Sequence, residues 1–221
     1  MIRELLVCTA LLLGLAIAQE TDTAYFTGVA TYQIQFKGRK ADVEFLKANQ
    51  PNDELTMMIG EGDYIVQLDG GKYPKTFMFI ADSNYEYSID IENKRAFRHS
   101  AFADLNRDTS DTEPVAEPTG RTKQVGDYLC QEYVLKKDDA VFYYYVTDDF
   151  RVDLGDFPAD PNSKAMFLAK GLDGRLPLRT VRRTQQLAVE TTLTEIERRT
   201  FYDEAFTIPK GFVVKGRDVR Y

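Results

Sequence analysis

Strict alternation of apolar and polar residues dominates this chain. In Ala30-Thr31-Tyr32-Gln33-Ile34-Gln35-Phe36 every second residue is apolar, and Tyr85-Glu86-Tyr87-Ser88-Ile89-Asp90-Ile91-Glu92 alternates throughout. Tyr64, Val66 and Leu68 repeat the pattern, as do Leu187, Val189, Thr191 and Leu193. A strand sends successive side chains to opposite faces, so each of these segments predicts a strand with one dry face and one wet face. Two runs are apolar on both parities: Phe77-Met78-Phe79-Ile80 and Val141-Phe142-Tyr143-Tyr144-Tyr145-Val146. These predict strands covered on both sides.

Turn residues punctuate the runs at Pro51-Asn52-Asp53, Asp69-Gly70-Gly71, Lys136-Lys137-Asp138-Asp139 and Asp173-Gly174. Short connections favour antiparallel neighbours. Asp69-Gly70-Gly71 reads as a hairpin. Helical signals are few. Pro161-Asn162-Ser163 opens a short helix through Lys164 to Lys170, stopped by Gly171. Weaker helical patterns run over Ala41 to Ala48 and Arg98 to Asn106. The polar stretch from Asp104 to Gln124 contains Pro114, Pro118 and Gly120 and reads as a long loop joining two parts of one sheet.

The N-terminus predicts export. Arg3 precedes a nearly unbroken apolar run from Leu5 to Ile17, which closes on the small-residue pattern Ala16-Ile17-Ala18 before Gln19-Glu20-Thr21-Asp22. This is the order of a secretory signal peptide, residues 1–18, cut near Ala18. The run is short for a membrane span, which takes about 20 residues, so no stable transmembrane anchor is expected. Cys8 falls inside the apolar run and not at the cut, so no lipid attachment is expected. The mature segment 19–221, read as one domain, then keeps only Cys130, which cannot form an intramolecular disulfide and reads as a buried small hydrophobe. A soluble periplasmic or secreted protein is the expectation.

Composition removes several function classes. The net charge of −7 argues against a nucleic-acid partner. One histidine, His99, makes multi-histidine metal centres impossible, and its neighbour in sequence, Ser100, is no nucleophile–base arrangement. No G-x-S-x-G, H-E-x-x-H or phosphate-loop pattern occurs. Asp104-Leu105-Asn106-Arg107-Asp108 resembles the start of a calcium loop, but Thr109 replaces the loop glycine and Val115 the closing Glu. Asp153, Asp156, Asp160 and Asn162 form a looser cluster. Both read as solvated loop residues. The doublets Arg182-Arg183 and Arg198-Arg199 read as strand positions with one arginine facing water; an anionic headgroup or partner surface is the alternative. No catalytic residue, cofactor or metal ligand is expected, and no enzyme activity.

What remains distinctive is the 13 Tyr and 14 Phe, concentrated in strands. Aromatic residues suit a half-buried pleated surface and so are explained by β core alone. They also suit a curved sheet enclosing an apolar cavity with Tyr tips at its mouth. On that reading the cavity-lining residues are Phe77, Phe79, Tyr87, Ile89, Tyr143, Tyr145 and Phe167.

The second half carries a resemblance. Gln124-Val125-Gly126-Asp127-Tyr128-Leu129-Cys130-Gln131-Glu132-Tyr133, then Tyr144-Tyr145-Val146-Thr147-Asp148-Asp149-Phe150, then Gly174-Arg175-Leu176-Pro177-Leu178-Arg179, a strand from Leu187 to Ile196, and Phe206-Thr207-Ile208-Pro209-Lys210-Gly211-Phe212 resemble, in order and spacing, a family of secreted bacterial proteins of unknown function grouped with the LolA-like lipoprotein carriers. The match is good over about residues 120–214; over 25–100 it extends only to strand order. The resemblance implies a mainly β fold, a half-open antiparallel β-barrel with a few short helices on its concave face. It also implies that the face can hold acyl chains, and it implies no catalytic residue. The expected function is therefore non-enzymatic binding of a lipid or other hydrophobic ligand. The alternative is an envelope structural or protein-interaction module with a filled core and no ligand.

Overall fold

A computed structural model of the chain describes residues 25–49, 53–69, 75–100, 114–155, 157, 166 and 169–216. The signal segment 1–18, Gly70-Gly71, the calcium-like stretch 104–112, Asp156, Asp160 and Asn162 of the looser acidic cluster, Phe167 and most of the helix expected at 161–170 lie outside the described residues.

Alternation becomes strands where it was read. The elements are β1 (Gly28–Gly38), α1 (Lys40–Asn49), β2 (Glu54–Ile59), β3 (Tyr64–Asp69), β4 (Lys75–Ile80), β5 (Tyr85–Asp90), β6 (Arg95–Ser100), β7 (Glu117–Val125), β8 (Tyr128–Lys137), β9 (Ala140–Arg151), β10 (Arg175–Arg183), β11 (Leu187–Arg198) and β12 (Val213–Gly216). They form one sheet in the order β12-β6-β5-β4-β3-β2-β1-β11-β10-β9-β8-β7. Every neighbouring pair is antiparallel except β12 with β6, which is parallel. The sheet is open and curved, a mainly β half-barrel in architecture. β1 sits at its centre and is laddered to both β2 and β11, so the N-terminal and C-terminal halves share it.

Two expectations need correction. Arg98 to Ser100 continues β6 and is not helical. The polar stretch read as loop to Gln124 is strand from Glu117 onward. Pro118 is tolerated there because β7 is the sheet edge, where a missing N–H leaves no ladder bond broken on the open side; the pairing with β8 is bulged between Pro118 and Thr122.

The two-sided apolar runs have two-sided cores. Tyr64, Val66 and Phe79 pack with Leu55, Met57, Ile59 and Tyr32 on one face of β1–β4. On the other face Ile65 and Met78 pack with Phe206, and Tyr87, Ile89 and Ala96 pack with Ile208 and Phe212. The outer cover is thus the segment 201–212, which precedes β12. In β9, Tyr145 belongs to the first core, while Tyr144 and Val146 pack with Tyr133, Leu135 and Leu172 in another. Phe26 joins the halves. Its ring meets that of Phe150 edge-on at 5.6 Å, and its N–H bonds the Arg151 carbonyl at 2.6 Å.

α1 forms over the weaker helical pattern at Ala41 to Ala48. Asp42 in its first turn accepts from Arg39 Nε at 2.9 Å, and Lys40 and Glu44 pair at 3.8 Å across one turn. Val43 and Leu46 are half-buried, while Phe45 is 67% exposed. Among the described residues no helix is long and apolar enough to cross a membrane.

Candidate functional site: an aromatic cleft at one end of the sheet

The interior between β3, β4 and residue 157 is filled. Tyr64 stacks on Phe79 at 5.6 Å and on Phe157 at 5.9 Å, and Phe79 and Phe157 lie 6.1 Å apart. Tyr64 and Phe79 are fully buried. No chain-length ligand fits inside that stack.

Space opens beside it. A cleft of about 1020 Å³ lies where the β2–β3 turn, the β4–β5 turn, Gly155 and Phe157, and the segment from Thr200 to Thr207 meet. Its apolar wall is Phe157, Phe201, Phe206 and Ile80, with Tyr202 at the rim. Phe201 and Phe206 meet edge-on at 5.3 Å, and Tyr202 is 85% exposed. Gly60 makes the wall: a Cβ there would sit 2.7 Å from one Phe206 ring carbon and 2.9 Å from another. Glu61, Asp63 and Asp82 give the cleft an acidic side, with no lysine or arginine among the described lining residues. Asp63 also fixes the floor, because its Oδ1 accepts the Ala81 N–H at 2.7 Å. A second space of about 520 Å³ lies between α1 and the end of β1, bounded by Ile34, Phe36, Lys37 and Lys47.

Six of the seven residues expected to line one cavity are described, and they fall in two clusters: Phe77, Phe79, Tyr143 and Tyr145 in the first core, Tyr87 and Ile89 in another. Phe77 and Phe79 face the first core. Tyr87 and Ile89 point to the opposite face, because the β4–β5 register sets Tyr87 beside Met78 and Ser88 beside Phe77. Tyr143 and Tyr145 stand on β9, with five strands between them and β4. None of the six described residues borders the large cleft. Its aromatic residues were not singled out by sequence reasoning. Their signal was present in Phe201-Tyr202, two adjacent aromatics after the last long strand, and in Phe206 of the family-like ending.

The polar groups read earlier fall into three arrangements. His99 Nε2 and Ser88 Oγ share a hydrogen bond at 2.8 Å, and Glu86, opposite His99 in the ladder, accepts from the Tyr64 hydroxyl at 2.8 Å. This is the distance of a nucleophile–base pair. However, β5 is laddered to β4 and β6 on both sides of Ser88, so the backbone there offers no free N–H pair to a developing oxyanion. Cys130 is fully buried as expected, and burial, with help from Asp149, pushes its thiol up to about 11. Glu132 is also buried. Burial alone would raise its pKa, but hydrogen bonds from Tyr145 and Thr119 and the charge of Arg121 outweigh that and hold it below the usual carboxylate range. Among the described residues no group of His, Cys, Asp and Glu is placed to hold a metal ion.

No family model matches the chain, and no curated protein does. Solved structures do. An uncharacterized conserved protein from Thermus thermophilus superposes with a TM-score of 0.52 at 10% identity, over 88% of this chain and 93% of that one. PNGF-II in its P21 crystal form gives a TM-score of 0.50 at 16% identity, over 87% of this chain; the match covers 32% of PNGF-II, about a third of its length. At such identities these two show a shared fold and nothing more. A LolA superfamily protein, NE2245 from Nitrosomonas europaea, aligns over 83% of this chain and 91% of its own at 10% identity, with a TM-score of 0.37 that is too low to argue from.

Proposed function

We propose that the chain is an exported, non-enzymatic binding protein, and that it takes a hydrophobic ligand in the aromatic cleft. One observation carries this: four aromatic side chains from two separate segments converge on a space of about 1020 Å³ and leave Tyr202 exposed at its mouth. Ligand clefts run from about 300 to 1,000 Å³ and are lined by apolar and aromatic groups with a few polar ones. Each methylene buried against the aromatic wall contributes about 0.8 kcal/mol. The resemblance of the second half to the LolA-like carriers supports the reading, as does the leader-like N-terminus. The filled Tyr64–Phe79–Phe157 stack favours the second reading, a packed module without ligand, for the middle of the sheet but not for this end.

The test is titration of the purified mature chain with a fluorescent monoacylglycerol, alongside native mass spectrometry and lipid extraction. Saturable uptake is expected, weakened roughly tenfold in Tyr202→Ala, the scale on which an aromatic contact acts in a binding site. No uptake and no extractable lipid would leave the filled module as the answer.

A further inference from the structure

The protein is acidic overall, yet one sheet face carries the opposite sign. Ladder partners share a face, so the register assigns it row by row. Lys37, Ala188, Arg183, Val141 and Lys136 form one row across β1, β11, β10, β9 and β8. The next row is Gln35, Glu190, Val181, Tyr143, Val134 and Glu117, which reaches β7. Below it lie Arg179, Tyr145 and Glu132, then Lys123 beside Cys130; Val181, Tyr145, Glu132 and Cys130 are buried, so the face meets solvent through the charged side chains around them. Arg121 joins this face through its pair with Glu132 at 2.8 Å. On the same side Thr31 pairs with Glu195, so six cations face four carboxylates, a surplus of two on a chain of net charge −7. Asp149 borders the face near Cys130, and Asp138 and Asp139 turn the chain beyond Lys136.

The buried carboxylates neutralise their neighbours. Glu190 takes Lys37 at 2.8 Å and Arg179 at 3.0 Å, and Glu132 takes Arg121. Lys123, Lys136 and Arg183 have no carboxylate partner among the described residues, and all three are exposed. Two of them lie on tyrosine rings, Arg183 over Tyr143 at 5.3 Å and Lys123 over Tyr145 at 5.4 Å, which holds them at the surface. Strand spacing makes the face roughly 24 Å wide from β1 to β7. The cavity beside α1 borders this face at its β1 end, through Gln35 and Lys37, and the aromatic cleft does not touch it.

We propose that this face docks on an anionic lipid bilayer. Unpaired cations spread over a broad face match a plane of phosphate headgroups better than a single peptide, and basic side chains near such a surface are drawn to it. The proposal does not depend on the cleft holding a ligand. It is tested by sedimenting the mature chain with vesicles of phosphatidylglycerol and phosphatidylcholine in equal parts, and with phosphatidylcholine alone, at low and high salt. Binding is expected only to the anionic vesicles and is lost in high salt. The triple variant Lys123→Glu, Lys136→Glu, Arg183→Glu should bind at least about tenfold more weakly. The control variant Lys94→Glu, Lys210→Glu, Lys215→Glu has the same net charge but changes exposed lysines near the opposite edge of the sheet, and should bind as the parent does. Equal loss in both variants, no binding to anionic vesicles, or preference for poly-glutamate over vesicles would each overturn the proposal, the last in favour of an acidic protein partner.

Discussion

Tyr32 and Tyr64 are both fully buried in the same core, yet their hydroxyls stand in opposite situations. The Tyr64 hydroxyl donates to Glu86 Oε2 at 2.8 Å. The Tyr32 hydroxyl has no hydrogen-bond partner among the described residues, and burial pushes its pKa strongly upward. Replacing each by Phe removes one oxygen and leaves the ring. For Tyr64→Phe the loss is a hydrogen bond to a charged group, about 1.5–3 kcal/mol. For Tyr32→Phe the change relieves the cost of burying an unpaired hydroxyl, about 1–3 kcal/mol in proteins, less the contacts of the lost oxygen. The expected outcome is a gain of about 1 kcal/mol for Tyr32→Phe and a loss of about 2 kcal/mol for Tyr64→Phe. In a chain of this size each kcal/mol moves Tm by about 2–4 °C. The chain has no Trp, so urea unfolding is best followed by far-ultraviolet circular dichroism, with m unchanged and the midpoints moved in opposite directions. A Tyr32→Phe variant no more stable than the parent would refute the reasoning, because the hydroxyl would then have a partner worth keeping.

Three further outcomes follow from local geometry. Glu132 and Glu190 are both held below the usual carboxylate range, against the upward push of burial, by the groups that bond them. The folded state therefore binds fewer protons than the unfolded one, so their contribution is present above about pH 4.3 and is lost as pH falls through the lower folded values; Glu132→Gln should be less stable at neutral pH, with the difference shrinking in acid titrations of the urea midpoint. Cys130 should resist a thiol reagent at pH 8 in the native state and react once denaturant is added, since its thiol is buried and pushed up to about 11. Gly171→Ala should cost at least about 1–3 kcal/mol, because φ is +91° and the new Cβ would lie 2.3 Å from the Ala116 carbonyl oxygen, whereas Gly211→Ala, at φ +87° with nothing within 4 Å, should pay only the backbone penalty in thermal unfolding.

Strand identity was legible because period-two patterning is local: β1, β3, β5 and β11 can each be read from their own residues. The face each strand shares with its neighbour was not, because that depends on register. Phe77, Phe79, Tyr87 and Ile89 all look inward on their own strands, and only the pairing of Phe77 with Ser88 reveals that two of them point away. The contact of His99 with Ser88, eleven positions earlier, arises from register in the same way. β7 was hidden because Pro118, Gly120 and a mostly exposed edge erase its alternation. The outer cover was hidden for a different reason. Phe201, Phe206, Ile208 and Phe212 follow neither helical nor strand spacing, since an irregular segment laid across a sheet meets it wherever its turns allow.

That irregular segment ties the cleft to the stability of the fold. Phe206 seals Ile65 and Met78 on the outer face and also walls the cleft, and Phe157 both completes the inner stack and borders the same space. Removing either ring would open a core and alter the cleft together, so a lost affinity in those variants would not separate binding from folding. Tyr202 lacks that double duty: it is 85% exposed and belongs to none of the buried clusters. A ligand that bridges the two segments would, by mass action, stabilise the folded chain in proportion to its occupancy. The cleft lies where Phe157 of the inner stack meets Phe201 and Phe206 of the outer cover, so a ligand there would add contacts to both.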